Sequence, residues 1–132
     1  MSCTRTFQTV LKIGKVWETY EHHQKVMESP QYSKVLDLAK PLSVGDFQIQ
    51  HIPVDVDPTA AFTAPITEFG YLKPKEGKDK ECLGILQESG DLVCAAKGVR
   101  PPALWGEIRE DPGQYRGSIG WESLEVCVSK LH

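Results

Sequence analysis

The sequence predicts a single α+β domain, and three observations support this fold class. A pentapeptide occurs twice almost unchanged, as residues 17–21 and 121–125. Each copy lies where a strand-like pattern changes to a helix-like one, which indicates a duplicated strand–helix unit. The 132 residues are also the length of one domain with its own core, and no linker divides them. We therefore expect one domain over residues 1–132.

The repeated pentapeptide has the chemistry of a helix start. Thr19 and Ser123 can act as N-caps, because a side-chain oxygen can accept a hydrogen bond from an N–H of the first helical turn. Glu21 and Glu125 follow in that turn, where negative charge meets the positive end of the helix dipole. The tryptophan that opens each copy would end the preceding strand as a large apolar anchor.

The first half of the chain predicts a strand, two helices and a second strand. Apolar residues alternate over residues 5–14, which is typical of a half-buried strand. Helical spacing follows from residue 16 to residue 27, and a second short helix fits residues 31–40. The alternation of residues 47–54 predicts another strand. Residues 55–65 contain two prolines and predict a long loop.

The second half repeats this plan. A strand is predicted over residues 66–73 and a helix over about 79–97. Residues 103–110 and 115–121 predict a hairpin, because an Asp-Pro-Gly turn signal separates them. A final helix is expected over residues 126–131.

Composition excludes several classes of function. The net charge of -3 provides no basic stripe for nucleic acid. No apolar run approaches the roughly 20 residues that span a membrane, and the first residues lead into no signal-peptide core. We therefore expect a cytoplasmic protein. The four cysteines, Cys3, Cys82, Cys94 and Cys127, lack the spacing of zinc sites or redox pairs, so reduced and mostly buried thiols are expected.

Several stretches of the chain resemble one known family. They are residues 17–32, 51–54, 65–68, 105–107 and 119–122. Through them the sequence resembles the fungal branch of the antibiotic-biosynthesis monooxygenase-like proteins, over most of the chain from about residue 10. The resemblance implies a ferredoxin-like antiparallel sheet with helices on one face, assembled as a dimeric α+β barrel. Relative to a complete tandem arrangement the chain looks shortened at both ends, so we expect a homodimer.

A barrel of this kind also has a physical rationale. An antiparallel sheet with helices on one face leaves its other face uncovered, and a large apolar face must be buried by a second sheet. Pairing of two sheets closes a barrel whose interior side chains need not fill completely. We therefore expect a chamber for one small, mostly hydrophobic ligand.

Two histidines are the candidate catalytic residues. His51 shares the predicted strand face with Phe47 and Ile49, so it would lie among apolar neighbours. An imidazole titrates near neutral pH and is suited to act as a general base. His23 falls on the inward stripe of the first helix together with Tyr20. The alternative for both histidines is a structural role with satisfied hydrogen bonds.

The remaining candidates are expected to bind substrate. Trp105, Glu107 and Arg109 project to one face of their predicted strand. If that face lines the chamber, Glu107 and Arg109 form a buried pair that can bind an oxygenated substrate. If the other face does, they form a solvated ion pair of little consequence. Tyr71 and Glu68 lie on opposite faces of their strand, so at most one of them reaches the interior.

The sequence favours neither a metal nor a cofactor. His22 and His23 are adjacent on a helix and therefore diverge, so they cannot share one ion. His23 and His51 with a carboxylate could do so geometrically, but no spacing favours it. The chain contains no GxGxxG, phosphate-binding loop, GxSxG or HExxH motif.

The family resemblance implies the chemistry. Relatives of this fold include cofactor-free oxygenases of aromatic polyketides and cyclases of polyketide chains, and both begin by removing a proton from an acidic carbon. We expect a cofactor-independent tailoring enzyme of secondary metabolism that acts on a hydrophobic polyketide-like molecule by proton transfer. Cyclisation, isomerisation or dehydration would follow. The alternatives are a cofactor-free monooxygenase and a non-catalytic small-molecule-binding or stress-associated dimer.

Overall fold

A computed structural model describes residues 17–130 of the chain. The helices are α1 (Tyr20–Met27), α2 (Pro30–Ala39), α3 (Thr59–Thr63), α4 (Asp79–Cys94) and α5 (Leu124–Lys130), and a 3-10 turn (Lys40–Leu42) follows α2. The strands are β1 (Ile66–Leu72), β2 (Val99–Glu107) and β3 (Tyr115–Trp121). The strand predicted over residues 5–14 lies outside the described residues.

The three strands form one antiparallel sheet in the order β1-β3-β2. Gly117 at the middle of β3 lies opposite Gly70 of β1 and Trp105 of β2. Because β1 and β2 both run antiparallel to β3, they are parallel to each other and α4 connects them. This is a split β-α-β unit followed by a hairpin and a helix. The α+β class predicted from the sequence is confirmed.

Helices α4 and α5 cover one face of the sheet. The Trp105 ring lies on this face over the two facing glycines, so that a Cβ at Gly70 would come within 2.8 Å of its Cη2 atom. Gly90 of α4 also packs against the Trp105 ring, and a Cβ added at Gly90 would lie 3.7 Å from the ring atom Cδ1. Trp121 is fully buried and donates from Nε1 to Glu68 Oε2 at 2.9 Å. Glycines therefore make room for the largest side chain under α4.

The opposite face is covered only in part, by segments of the chain itself. Helix α3 packs against Gly120, and Thr67 donates to the Ala61 carbonyl at 2.7 Å. Ile52 packs onto Gly106 of β2. Beyond these segments the face stays open along β1, where Phe69 and Tyr71 are 42% and 48% exposed.

Most predicted elements are confirmed, and two differ instructively. The strand predicted over residues 47–54 is wrong, since these residues belong to no strand and pair with none of the strands between residues 17 and 130. Phe47 and Ile49, which carry the alternation, are exposed, whereas Ile52 packs on Gly106 of β2. Pro53 has no N–H to donate to a neighbouring strand. The predicted long loop contains α3, whose five residues are too few for a clear helical period.

The cysteine prediction holds for the described part of the chain. Cys82 and Cys127 are buried, and Cys94 is half-buried. All three thiols are free. Cys3 lies outside the described residues.

Candidate functional site

Three segments that are distant in sequence bring a carboxylate and two imidazoles together beyond the end of β2. Helix α1 supplies His23, the extended segment before α3 supplies His51, and the turn of the hairpin supplies Glu110. We call these three residues the histidine relay.

The start of α1 sets the orientation of His23. The Thr19 hydroxyl accepts a hydrogen bond from the backbone N–H of His22 at 3.1 Å, and α1 begins at Tyr20. The second copy of the repeat does the same, since Ser123 accepts from the N–H of Val126 at 3.2 Å. The predicted N-caps are thus confirmed. From this start, Tyr20 and His23 are three residues apart and share one helix face.

His51 is fixed at both its backbone and its ring. Its carbonyl accepts from the backbone N–H of Arg109 at 2.9 Å, and its own N–H donates to Glu110 Oε2 at 2.8 Å. The ring Nδ1 contacts Glu110 Oε1. The His51 side chain is 15% exposed and that of Glu110 is 35% exposed. The carboxylate therefore holds the histidine by two bonds at the edge of solvent.

The two imidazoles are joined directly, with His23 Nδ1 2.6 Å from His51 Nε2. A carboxylate only accepts hydrogen bonds, so His51 Nδ1 carries the proton that faces Glu110. In neutral His51, Nε2 is then the acceptor, and His23 Nδ1 is the donor. In this tautomer the nitrogen of His23 that carries no proton is Nε2.

Aromatic rings surround the relay. Trp17 stacks on the His23 ring, with centroids 4.2 Å apart and planes 18° apart. Tyr32 meets the same ring edge-on at 6.5 Å. Tyr20 meets His51 edge-on at 4.9 Å. These rings limit rotation of the imidazoles and place them in a largely apolar environment.

The relay also determines the charge of Glu110. Burial raises the pKa of its carboxyl, but the hydrogen bonds from the backbone and ring of His51, and the neighbouring His51 charge, outweigh burial and lower the pKa below its ordinary value. Glu110 is therefore an anion at neutral pH and can balance a positive charge that forms on His51.

The structure brings some of the predicted site residues together and separates others. His51, His23 and Tyr20 meet at the relay. Phe47 and Ile49 are exposed on the extended segment that leads to His51.

The three candidates on the sheet lie apart from the relay. Trp105 is under α4, and Glu107 accepts the backbone N–H of Gly113 at 2.8 Å within the hairpin. Tyr71 lies on the open face and donates to the side chain of Gln114. Tyr71 and Glu68 indeed occupy opposite faces, with Glu68 beneath α5.

Sequence reasoning missed two important residues of this site. Glu110 is 59 positions from His51, so no short-range spacing connects them. The only signal was the Asp-Pro-Gly turn, which places Glu110 at the mouth of the hairpin. Trp17 was expected to end a strand that lies outside the described residues, and its stacking on His23 was not predicted.

The relay atoms that could ligate a metal ion do not converge on one point. Glu110 lies on the Nδ1 side of His51 and His23 on the Nε2 side, so no common position faces all three. Between residues 17 and 130 no three His, Cys, Asp or Glu side chains are grouped to hold a metal ion.

Two open grooves occur elsewhere on the surface. One, of about 340 Å³, lies between the end of β1 and α4, beside Cys82 and Ile85. The other, of about 570 Å³, lies beside Gly98 and Val126 of α5. Neither is lined by the relay, and their chemistry is less specific than that of the paired imidazoles.

Comparison with known proteins gives no match to a family model, a curated protein or a solved structure. Within the described part of the chain, every helix is too short or too polar to traverse a lipid bilayer.

Proposed function

We propose that the protein is a cofactor-independent enzyme of secondary metabolism that transfers protons on a hydrophobic, polyketide-like small molecule. The hydrogen-bonded series from Glu110 through His51 to His23 is the observation that carries this proposal. A carboxylate orients one imidazole and that imidazole orients a second, as a third group orients the base in known catalytic sites.

The geometry supports a defined proton path. His23 Nε2 takes a proton from a carbon next to a carbonyl, and the electron pair of that C–H bond passes to the carbonyl oxygen as an enolate. The His23 Nδ1 proton can shift to His51 Nε2 across the 2.6 Å bond. The resulting imidazolium of His51 then lies against the Glu110 carboxylate, which stabilises it. Return of the proton to another carbon completes an isomerisation. In a dehydration the enolate expels a hydroxide, which takes the proton and leaves as water. In a ring closure the enolate carbon attacks a second carbonyl, and the resulting alkoxide takes the proton.

The fold is compatible with a chamber for such a substrate. Within residues 17–130, the β1-α4-β2-β3-α5 order with β3 between the parallel strands supports a ferredoxin-like arrangement. Phe69 and Tyr71 leave apolar surface open on the side away from α4 and α5. We propose that a second copy covers this surface in a homodimer, giving the dimeric α+β barrel that the family resemblance implies.

Deuterium uptake by 1-indanone, an aromatic ketone with an acidic CH₂, tests the proposal. His23→Gln and His51→Gln should each slow enzyme-catalysed exchange by about 10²–10⁴-fold, as expected for loss of a general base. His22→Gln is the matched control, because His22 is exposed on the same helix. Wild-type exchange no faster than buffer, or equal rates for the three variants, would refute proton-transfer catalysis and favour a binding protein.

The same reaction mixture separates the two catalytic outcomes. A monooxygenase would let the carbanion react with O₂, so oxygen would be consumed in proportion to product. We expect exchange without oxygen uptake. Oxygen uptake in proportion to product would show that the site belongs to a cofactor-free monooxygenase rather than to an isomerase or cyclase.

A further inference from the structure

Arg109 is a cation beside the relay that has no carboxylate partner among the residues the structure describes. The other two described arginines are engaged differently. Arg100 forms a two-point ion pair with Glu122, at 2.7 and 3.0 Å. Arg116 donates to Gln50 Oε1 at 2.9 Å and lies over the Tyr71 ring.

The position of Arg109 is nevertheless fixed. Its backbone N–H donates to the His51 carbonyl at 2.9 Å, which ties it to the relay. Its guanidinium carbon lies 3.7 Å from the centroid of the Tyr20 ring. Tyr20 in turn meets His51 edge-on at 4.9 Å. The Tyr20 ring therefore contacts both the guanidinium of Arg109 and the imidazole of His51.

Stacking uses the face of a guanidinium and leaves its N–H groups available in the plane. Two parallel N–H groups of arginine match a planar anion with two oxygens, and such charge-assisted pairs are stronger than neutral hydrogen bonds. The neighbouring Glu110 forms no ion pair with Arg109, and each of its oxygens accepts a hydrogen bond from His51.

We propose that Arg109 binds the oxygens of a 1,3-dicarbonyl substrate and stabilises the enolate that the relay forms. The inference rests on the proposed function and names its substrate class. When His23 removes the proton from the carbon between two carbonyls, the electron pair spreads over both oxygens. The guanidinium holds these oxygens by two N–H bonds while the proton resides on the imidazoles.

Three aromatic ligands test this binding: the enolate of benzoylacetone, an acyclic 1,3-diketone whose two oxygens can lie side by side, neutral 1-indanone and indane-2-carboxylate. Their dissociation constants are measured by titration calorimetry against wild type and three variants. Arg109→Gln should weaken enolate binding about tenfold or more, the low end for a charge-assisted hydrogen bond at an exposed position, and leave 1-indanone binding unchanged. Arg109→Lys keeps the positive charge but lacks two parallel N–H groups, so its enolate affinity should lie between those of wild type and Arg109→Gln. Arg100→Gln is the control and should bind like wild type.

Enolate affinity that is equal in wild type and Arg109→Gln would overturn the proposal, as would an equal loss for 1-indanone. Carboxylate binding tighter than enolate binding would also overturn it, because the anion would then be a substrate carboxylate. Failure of the proposed function is separate. If Arg109→Gln loses enolate binding but the wild-type protein exchanges no deuterium, the binding site stands and proton-transfer catalysis fails. If deuterium exchange depends on His23 but Arg109→Gln leaves enolate affinity unchanged, only the proposed role of Arg109 fails.

Discussion

Replacement of Glu110 by Gln removes the charge at the end of the relay while preserving the shape of the side chain. Glu110 accepts two hydrogen bonds from His51, one from the backbone and one from the ring. Hydrogen bonds to charged groups contribute about 1.5–3 kcal/mol and neutral ones about 0.5–1.5 kcal/mol. The glutamine amide keeps one acceptor oxygen, so one bond is lost and the other becomes neutral.

The loss is reduced by solvent, because the Glu110 side chain is 35% exposed and water can replace part of the missing interaction. We expect Glu110→Gln to lower the free energy of unfolding by about 1–2 kcal/mol at neutral pH. Urea unfolding followed by tryptophan fluorescence measures this difference. Glu88→Gln, an exposed change on α4, is the control and should stay within about 0.5 kcal/mol of wild type.

The sign of the pH dependence follows from the pKa of Glu110, which is lower in the folded protein than its ordinary value of 4.5. A depressed carboxyl pKa stabilises the fold above the unfolded-state value, and this stabilisation is lost as pH falls through the folded-state value. The gap between wild type and Glu110→Gln should therefore narrow below pH 4.5. A gap that is constant with pH, or a loss equal to that of Glu88→Gln, would refute the ionic contact with His51.

Three further predictions concern the fold around the site. Gly117→Ala should lower the free energy of urea unfolding by about 1–3 kcal/mol, because its Cβ would overlap the Trp105 ring. Gly84→Ala, on the open side of α4, should raise it by up to about 1 kcal/mol. Equal effects of the two substitutions would contradict the packing of Trp105 on Gly117. Thr19→Ala should cost about 1 kcal/mol through loss of the N-cap, and no loss would contradict its bond to α1. Burial and the adjacent Glu68 raise the pKa of the Cys127 thiol. Iodoacetamide should therefore modify Cys127 more slowly in the folded than in the urea-unfolded protein, as measured by mass spectrometry. Equal modification rates would contradict the burial of Cys127.

Local chemistry explains what the sequence could predict. Thr19 and Ser123 cap helices because the hydroxyl and the N–H that it bonds lie within one turn. The same helix start places Tyr20 and His23 on one face. His51 was expected among Phe47 and Ile49 on a strand face, but both of these side chains are exposed and its ring lies instead against that of Tyr20.

The rest of the site depends on contacts between residues far apart in the sequence, which short-range sequence patterns do not encode. The partner of His51 is Glu110, and hairpin closure alone brings the two together. The sequence left open whether Trp105 lines a chamber, because alternation shows which side chains share a face but not which face the helices cover. The glycines opposite it and Gly90 of α4 decide that question.

The tautomers of the two histidines test the relay most directly. Long-range ¹H–¹⁵N NMR correlation of the imidazole rings, at a pH where both are neutral, identifies the protonated nitrogen of each ring. The relay predicts a proton on Nδ1 of His51, facing Glu110, and a proton on Nδ1 of His23, shared with His51 Nε2. Protons on Nε2 of both rings would contradict it, because His51 could then neither donate to Glu110 nor accept from His23.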